Sequence, residues 1–161
     1  MTAKLSTLSL ADLYDRDIVL WSERTIELLR QGKFDELDME NLIDEVGDLG
    51  KRERDRLLSS IRLILHHLLK WEYQPEKRSR SWAKTIQRER VNIQDYLEET
   101  PSLVQIINAA GLEKAYKTAR RHAAIETDLP LKTFPQNCPY QWAKVLDDSF
   151  PSDLNNQQIS F

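Results

Sequence analysis

The chain has 161 residues, a formal net charge of -3 and a single cysteine, Cys138. This length is typical of one ordinary domain, and it is sufficient to bury a core without disulfides or metals. The slightly acidic charge excludes a general electrostatic attraction to nucleic acid or anionic membranes. One cysteine excludes an internal disulfide and suits a reducing compartment.

Membrane segments are not indicated either. No run approaches the roughly 18 consecutive apolar residues of a membrane span, and the N-terminal residues lack the apolar stretch of a signal peptide. We therefore predict a cytoplasmic protein that does not enter a membrane, made of one helical domain over residues 1–161. We expect an ordered core at about residues 14–150 and a flexible tail at 152–161.

The first predicted helix ends at Gly32, since glycine is the preferred residue just beyond a helix C-terminus. Asp15 is its predicted N-cap. Apolar residues recur near helical spacing between these two ends. They are Ile18, Trp21, Leu28 and Leu29.

A long central helix is predicted from about Asp38, its N-cap, to Tyr73. Its apolar positions follow a period of 3.6 residues. They are Leu42, Val46, Leu49, Leu57, Ile61, Ile64, Leu68 and Trp71. The first half carries a narrow apolar stripe, whereas the second half is apolar over much of its circumference and is predicted to form the core.

Pro75 ends this helix, and Ser79 or Ser81 is the predicted N-cap of a third helix that stops before Pro101. Ser102 is predicted to cap the next helical segment, which Gly111 divides in two. The second part of that segment carries a narrow buried face of mostly small residues. They are Leu112, Ala115, Tyr116, Ala119 and Ala123.

A short helix is predicted at about residues 140–146, with Pro139 at its first position. No strand alternation or internal repeat is present. The predicted fold is therefore all-α, a compact bundle of about five helices around one long central helix.

Two adjacent histidines, His66 and His67, are the first candidate for chemistry, because imidazole binds metals and acts as a general base. Neighbouring helix positions point about 100° apart, so the pair cannot chelate one ion. The stripe centred on Leu42 places His67 near the buried face and His66 on the opposite side. A packed, hydrogen-bonded His67 is favoured, and a metal site completed by carboxylates of another helix is the alternative.

Acidic residues cluster near the start of the long helix, at Glu40, Asp44, Glu45 and Asp48. Acidic side chains in the first turns of a helix complement its dipole, so a solvated face is favoured over a divalent-cation site. The sequence contains no HExxH, no glycine-rich phosphate loop and no nucleophile motif, and Cys138 has no identifiable base. No catalytic, metal-binding or cofactor-binding residue is predicted.

Cations and aromatic residues alternate around Pro75, as in proteins that bind phosphates and stack bases. The possible binding surface consists of Lys77, Arg78, Arg80 and Lys84. Trp71 and Trp82 fall on apolar faces and are predicted to belong to the core. A structural turn with solvated cations is therefore favoured over nucleic-acid binding.

Several segments in order resemble one family. They are "YDRD", "LW", "GKFDELDMENLIDEV", "LLKWEYQPEKRSRSW", "ETDLP" and "FPQNCPY". Together they resemble the bacterial, mainly cyanobacterial family called domain of unknown function 29, from about Tyr14 to Phe150. The resemblance implies a compact all-helical protein and brings no catalytic residues. Asp128 of "ETDLP" stands where the family often has glycine, which implies a left-handed backbone at Asp128.

Three functions are compatible with these observations. The favoured one is a non-catalytic helical module that binds or regulates another macromolecule, with a protein favoured as the partner. The alternatives are a nucleic-acid-binding protein that uses the basic residues 77–90, and a metal-dependent enzyme that uses His67. The oligomeric state is not predicted.

Overall fold

The computed structural model describes residues 8–154. Over that range the chain forms α-helices and short 3₁₀ turns with no strand, which confirms the all-α class. The helices are α1 (Leu10–Arg16), α2 (Ile18–Gln31), α3 (Met39–Tyr73), α4 (Arg80–Glu99), α5 (Ala109–Thr127) and α6 (Trp142–Val145). Within the described residues no helix is both long and apolar enough to cross a membrane.

The chain divides into two compact units, residues 1–51 and residues 52–161, and the division falls within α3. The first unit contains α1, α2 and the beginning of α3. The second unit contains the rest of α3 together with α4, α5 and α6. Whether the 161 residues fold as one domain stays a prediction.

In the first unit, α1 and α2 join directly at Asp17, whose side chain accepts a hydrogen bond from the Leu20 backbone at 3.0 Å. Asp17 is therefore the N-cap of α2. The predicted cap, Asp15, lies inside α1 instead, because a separate short helix precedes α2. Gly32 ends α2 with φ of 70°, as predicted.

The small core of this unit is formed mainly by Leu13 and Trp21, which are 0% and 4% exposed. Tyr14 packs edge-on against Trp21 with ring centroids 5.2 Å apart. Ile18 and Leu29, two of the apolar residues that define the predicted helix, are 47% and 41% exposed. The core of the first unit therefore covers only part of its apolar surface.

The long helix α3 matches its prediction closely. Asp38 accepts from the backbone of Asn41 as an N-cap, and the helix ends at Tyr73 before Pro75. Ser79, one of the two predicted caps, accepts from the backbone of Trp82 at the start of α4.

The core of the second unit is built on the second half of α3, as predicted. Seven α3 residues are at most 2% exposed there: Leu57, Ile61, Ile64, Leu65, Leu68, Leu69 and Trp71. The predicted face of α5 packs into the same cluster. Ala119 and Ala123 of that face are 0% exposed, so the small residues allow close approach of the helix backbone.

Gly111 does not divide two helices but lies in the first turn of α5. Asn108 is the N-cap and accepts from the Gly111 backbone at 2.9 Å. A Cβ atom at position 111 would lie 2.1 Å from the Ile106 carbonyl oxygen. Glycine is therefore needed for a close backbone approach, and the helical segment is interrupted just before Asn108 rather than at Gly111.

The segment after α5 lies along the second unit and is held mainly by side-chain donors. Asp128 ends α5 with φ of 57°, the left-handed conformation that was predicted. Arg90 of α4 donates to the carbonyl oxygens of Val145 and Phe150 at 2.9 and 2.7 Å. Helix α6 begins at Trp142 rather than near Tyr140, so Pro139 is not its first residue.

Residues 152–154, at the start of the predicted tail, pack against the second unit. Leu154 is 3% exposed, and the Asp153 carboxylate accepts a hydrogen bond from Trp71 Nε1 at 3.0 Å. The remainder of the predicted tail, residues 155–161, lies outside the described residues.

Candidate functional sites

Of the four basic residues around Pro75, Arg78 is engaged in the fold. Its Nε donates to the Trp71 carbonyl oxygen at 2.8 Å, and its Nη1 pairs with Asp153. Its guanidinium also lies 5.1 Å from the centre of the Trp71 ring. Arg78 therefore connects the end of α3 to the segment after α6 and is not a freely available surface cation.

The tryptophans near this turn also serve packing. Trp71 is 2% exposed, which confirms its place in the core. Trp82 is half-buried against the same core, and the Lys70 ammonium lies 4.3 Å from its ring centre. The Trp71 indole is therefore closed to a stacking base, and the Trp82 indole is already in contact with a lysine ammonium.

The remaining basic residues, Lys77, Arg80 and Lys84, are exposed. Arg80 and Lys84 are four residues apart in α4, so they lie on one side of the helix. Within residues 8–154, none of the three forms an ion pair with a carboxylate. The four predicted residues thus separate into one structural arginine and three solvated cations.

The two histidines have the opposite burial from that predicted. His66 is 4% exposed and lies in the interior, whereas His67 is only partly buried and its Nδ1 lies 2.8 Å from the Leu63 carbonyl oxygen. The prediction extended the stripe of Leu42 into the second half of α3. Because that half packs on several sides, burial extends around the helix and includes His66.

His66 belongs to a polar cluster between α3 and α5. Its Nε2 lies 3.3 Å from the Glu126 carboxylate, and the Lys70 ammonium donates to the same oxygen at 2.6 Å. The rings of His66 and His122 are 6.2 Å apart. Although the two groups are close, the His66 ring is not oriented to form a hydrogen bond with Glu126. His66 Nε2 therefore has no hydrogen-bond partner among the described residues.

Burial lowers the pKa of His66 to about 4, although the Glu126 charge opposes the shift. Burial would raise the pKa of Glu126, but the hydrogen bond from Lys70 and the nearby charges leave it below its ordinary value. Near neutral pH the cluster is therefore a Lys70–Glu126 ion pair beside a neutral imidazole. In this partly buried position, the attraction between the two opposite charges offsets part of the cost of removing them from water.

Metal binding has little geometric support at these residues. Among residues 8–154, no group of three or more histidine, cysteine, aspartate or glutamate side chains could hold a metal ion. The acidic residues near the start of α3 do not converge, and Glu45 accepts a hydrogen bond from the Tyr14 hydroxyl at 2.9 Å. Burial raises the pKa of the Cys138 thiol to about 11, so this thiol is protonated at neutral pH.

A cleft of about 320 Å³ lies in the second unit, away from His67, between Trp71, Tyr140 and Phe150. Two polar side chains at its wall, Tyr140 and Arg78, are engaged within the fold, and the ammonium of a third, Lys144, lies 5.2 Å from the centre of the Phe150 ring. The Tyr140 hydroxyl donates to Glu72 at 2.7 Å, and Arg78 is engaged as described above. Two of the polar side chains that could orient a small ligand in this cleft are therefore already used by the fold.

The most unusual surface lies in the first unit and was not predicted. Nine large apolar side chains within residues 8–51 are between 41% and 63% exposed. We call them the apolar surface: Ile18, Val19, Ile26, Leu29, Phe34, Met39, Ile43, Val46 and Leu49. Val46 and Leu49 were expected to continue the central stripe of α3, but they are 60% and 59% exposed.

Sequence spacing contains a signal for this surface. Val19, Ile26 and Leu29 recur with steps of seven and three residues, and Met39, Val46 and Leu49 repeat the same spacing. Steps of three and four residues that combine to seven characterise helices that pair with other helices. The periodicity indicated an apolar face, but it did not show whether that face is covered by the same chain.

A family model described as "Domain of unknown function DUF29" matches residues 13–151. The chain therefore belongs to this family, whose description assigns no activity. No curated protein and no solved structure matches the chain.

Proposed function

We propose that this DUF29 protein is a non-catalytic helical module that binds another protein through the apolar surface of its first unit. The supporting observation is the size of that surface. At roughly 100 Å² for each half-exposed side chain, its nine residues together expose on the order of 900 Å² of apolar area, spread over α2, the turn after it and the first half of α3, whereas the largest single patch on a typical monomer is about 300–600 Å². Surfaces of this extent are characteristic of interaction sites.

The non-catalytic part of the proposal rests on how the polar groups are used. Lys70 and Glu126 neutralise each other, and His66 is 4% exposed and does not line the cleft between Trp71, Tyr140 and Phe150. His67, the candidate for metal-dependent catalysis, has its Nδ1 directed at a backbone carbonyl. These groups contribute to packing and charge balance, which a binding module requires.

Nucleic-acid binding is the second candidate, supported by Lys77, Arg80 and Lys84, which are exposed and form no ion pair within residues 8–154. Three phosphate contacts would give a weak, salt-dependent association with a slope of about 3 in a plot of log affinity against log salt. A gel shift at physiological salt that is lost when these three residues are changed to Glu would favour this candidate. We expect no shift.

Site-specific photocrosslinking in the native cell tests the proposed function. Val46 is replaced by the photoreactive amino acid benzoylphenylalanine, and Ile125, a 73% exposed residue of the second unit, is the matched control. We expect ultraviolet light to produce protein adducts from position 46 and not from position 125. Equal or absent adducts at both positions would contradict the proposal.

Location in the cytoplasm is part of this proposal. Its support is the single cysteine, Cys138, which cannot form a disulfide within the chain and whose thiol is kept protonated by burial. A free thiol of this kind suits a reducing compartment. Fractionation of the native cell with an antibody against the full chain would test it.

A further inference from the structure

We infer that the protein bound by the apolar surface is a second copy of this chain, so that the first units of two copies form a symmetric helical interface. This inference rests on the proposed function and names its partner. It is drawn from the spacing, exposure and area of the apolar side chains on α2 and α3.

Helix α2 carries one uncovered seam. Val19, Ser22, Ile26 and Leu29 occupy positions i, i+3, i+7 and i+10, which are the a and d positions of a coiled-coil repeat. Val19, Ile26 and Leu29 are 63%, 46% and 41% exposed. The one polar member, Ser22, donates its hydroxyl to the Val19 carbonyl oxygen at 2.8 Å, so burial of this seam would leave no hydroxyl donor unpaired.

The beginning of α3 carries a second seam with the same spacing. Met39, Leu42, Val46 and Leu49 again occupy positions i, i+3, i+7 and i+10. Met39, Val46 and Leu49 are each at least half exposed, and Leu42 is partly exposed. A helix seam of Met, Leu, Val and Leu is the sequence pattern expected where one helix packs along another.

Two seams in one unit favour a symmetric partner. A two-fold axis would bring α2 and α3 of one copy against α2 and α3 of the other, and four packed helices bury such seams efficiently. In an interface of this kind each patch contacts its own equivalent, so one mutation affects both sides. No complementary apolar surface has to be supplied by a different protein.

The available area agrees with this arrangement. A stable interface of standard size buries about 800 Å² on each partner, close to the roughly 900 Å² that the apolar surface presents. Interfaces between identical subunits are also more apolar than those between transient partners. The apolar surface meets both conditions without a contribution from the second unit.

Sedimentation equilibrium of the full chain tests the inference. We expect the average mass to rise from 18.9 kDa toward twice that value between ~1 and ~200 μM, the range in which a micromolar dimer assembles. The double variant V46E/L49E should weaken association by at least ~100-fold, since it places four charges in the paired interface. Both residues are more than half exposed, so the variant should keep its helical circular dichroism.

The matched control is I125E, an equally apolar-to-charged change at a 73% exposed site of the second unit. It should associate like the wild type. A wild-type mass that stays at 18.9 kDa up to ~200 μM, or equal weakening by I125E, would overturn the second-copy inference.

Identification of the Val46 photoadduct separates this inference from the proposed function. Adducts containing peptides of this chain, together with dimerisation in solution, support both. An adduct with a different protein and a monomeric wild type would overturn the second copy as partner but retain protein binding. Absence of any adduct specific to position 46 would contradict protein binding through this surface.

Discussion

The two halves of α3 have the same apolar periodicity but opposite environments. Ile61 and Ile64 in the second half are 0% exposed, whereas Val46 and Leu49 in the first half are 60% and 59% exposed. An apolar stripe therefore identifies a helix face that favours burial. It does not show whether the same chain or a second chain covers that face. In the second half α4 and α5 provide the cover, and for the first half we propose a second copy.

Polar side chains are buried in both units. In the second unit even polar side chains are buried and paired, such as Lys70 with Glu126, and Ser60, which donates to Glu89 at 2.8 Å. Each unit also contains buried polar atoms with no hydrogen-bond partner in the described residues, such as Trp21 Nε1 in the first unit and His66 Nε2 in the second. The second unit contains the larger apolar core, and for that reason we expect it to dominate stability.

The largest expected effect is at Trp71, in the half of α3 that the chain itself covers. Replacement by Ala removes a fully buried ring and its hydrogen bond to Asp153, and should lower the free energy of unfolding by about 3–5 kcal/mol. Chemical unfolding followed by circular dichroism measures this change. An unaltered unfolding midpoint would mean that the second half of α3 is as open as the first.

The next effect is a pH dependence that arises at His66. Because its folded pKa is lowered to about 4, the unfolded chain binds a proton first as the pH falls below about 6.5. The resulting loss of stability should grow between pH 6.5 and pH 4 and approach about 3 kcal/mol. His67, whose pKa burial also lowers, adds to the loss in the same direction.

Urea unfolding at a series of pH values tests this dependence. His66→Gln should remove most of the loss between pH 6.5 and pH 4, while His122→Gln should keep it, because His122 is exposed. Glu126 and Lys70 are the charged groups that face His66. The folded state lowers the pKa of Glu126, so the stability contributed by Glu126 is lost only at a lower pH, as the pH falls through its folded pKa. An unchanged slope in His66→Gln would show that His66 is solvated.

A smaller effect distinguishes Arg78 from the other cations of the turn. Arg78→Glu removes an ion pair with Asp153 and a hydrogen bond to the Trp71 carbonyl, and should cost about 1–3 kcal/mol. The triple change of Lys77, Arg80 and Lys84 to Glu should cost less than about 1 kcal/mol, because these side chains are exposed and form no ion pair with the described part of the chain. Equal losses in the two variants, measured by thermal unfolding, would contradict the separate role of Arg78.

Local signals allowed much of the fold to be predicted from the sequence. Asp38, Ser79 and Gly32 mark helix ends because capping depends on a few neighbouring backbone groups. The limits of α3 followed from Asp38 and Pro75 for the same reason. The interruption before Asn108 was misplaced at Gly111, because the approach of Gly111 to the Ile106 carbonyl becomes visible only in three dimensions.

The sites were harder to predict because they depend on contacts between distant segments. Arg78 is separated from Asp153 by 75 residues along the chain, and the sequence indicated only that it lies among other cations. Which histidine is buried depends on how α3 packs, so the stripe of Leu42 led to the wrong choice between His66 and His67. The exposure of Val46 likewise depends on whether another helix covers it, and no helix among residues 8–51 does so.

The smallest expected effect is at Val46 itself. At low protein concentration Val46→Ala should change the free energy of unfolding by less than about 0.5 kcal/mol, since the side chain is already in water. If a second copy covers this residue, the wild-type melting temperature should rise with protein concentration, because association stabilises the folded state by mass action. Val46→Ala should then reduce that rise, and Ile125→Ala should not. Calorimetry at ~5 and ~200 μM measures the difference. If the wild-type melting temperature does not depend on concentration, no second copy covers Val46, and the two halves of α3 differ only in how they pack within one chain.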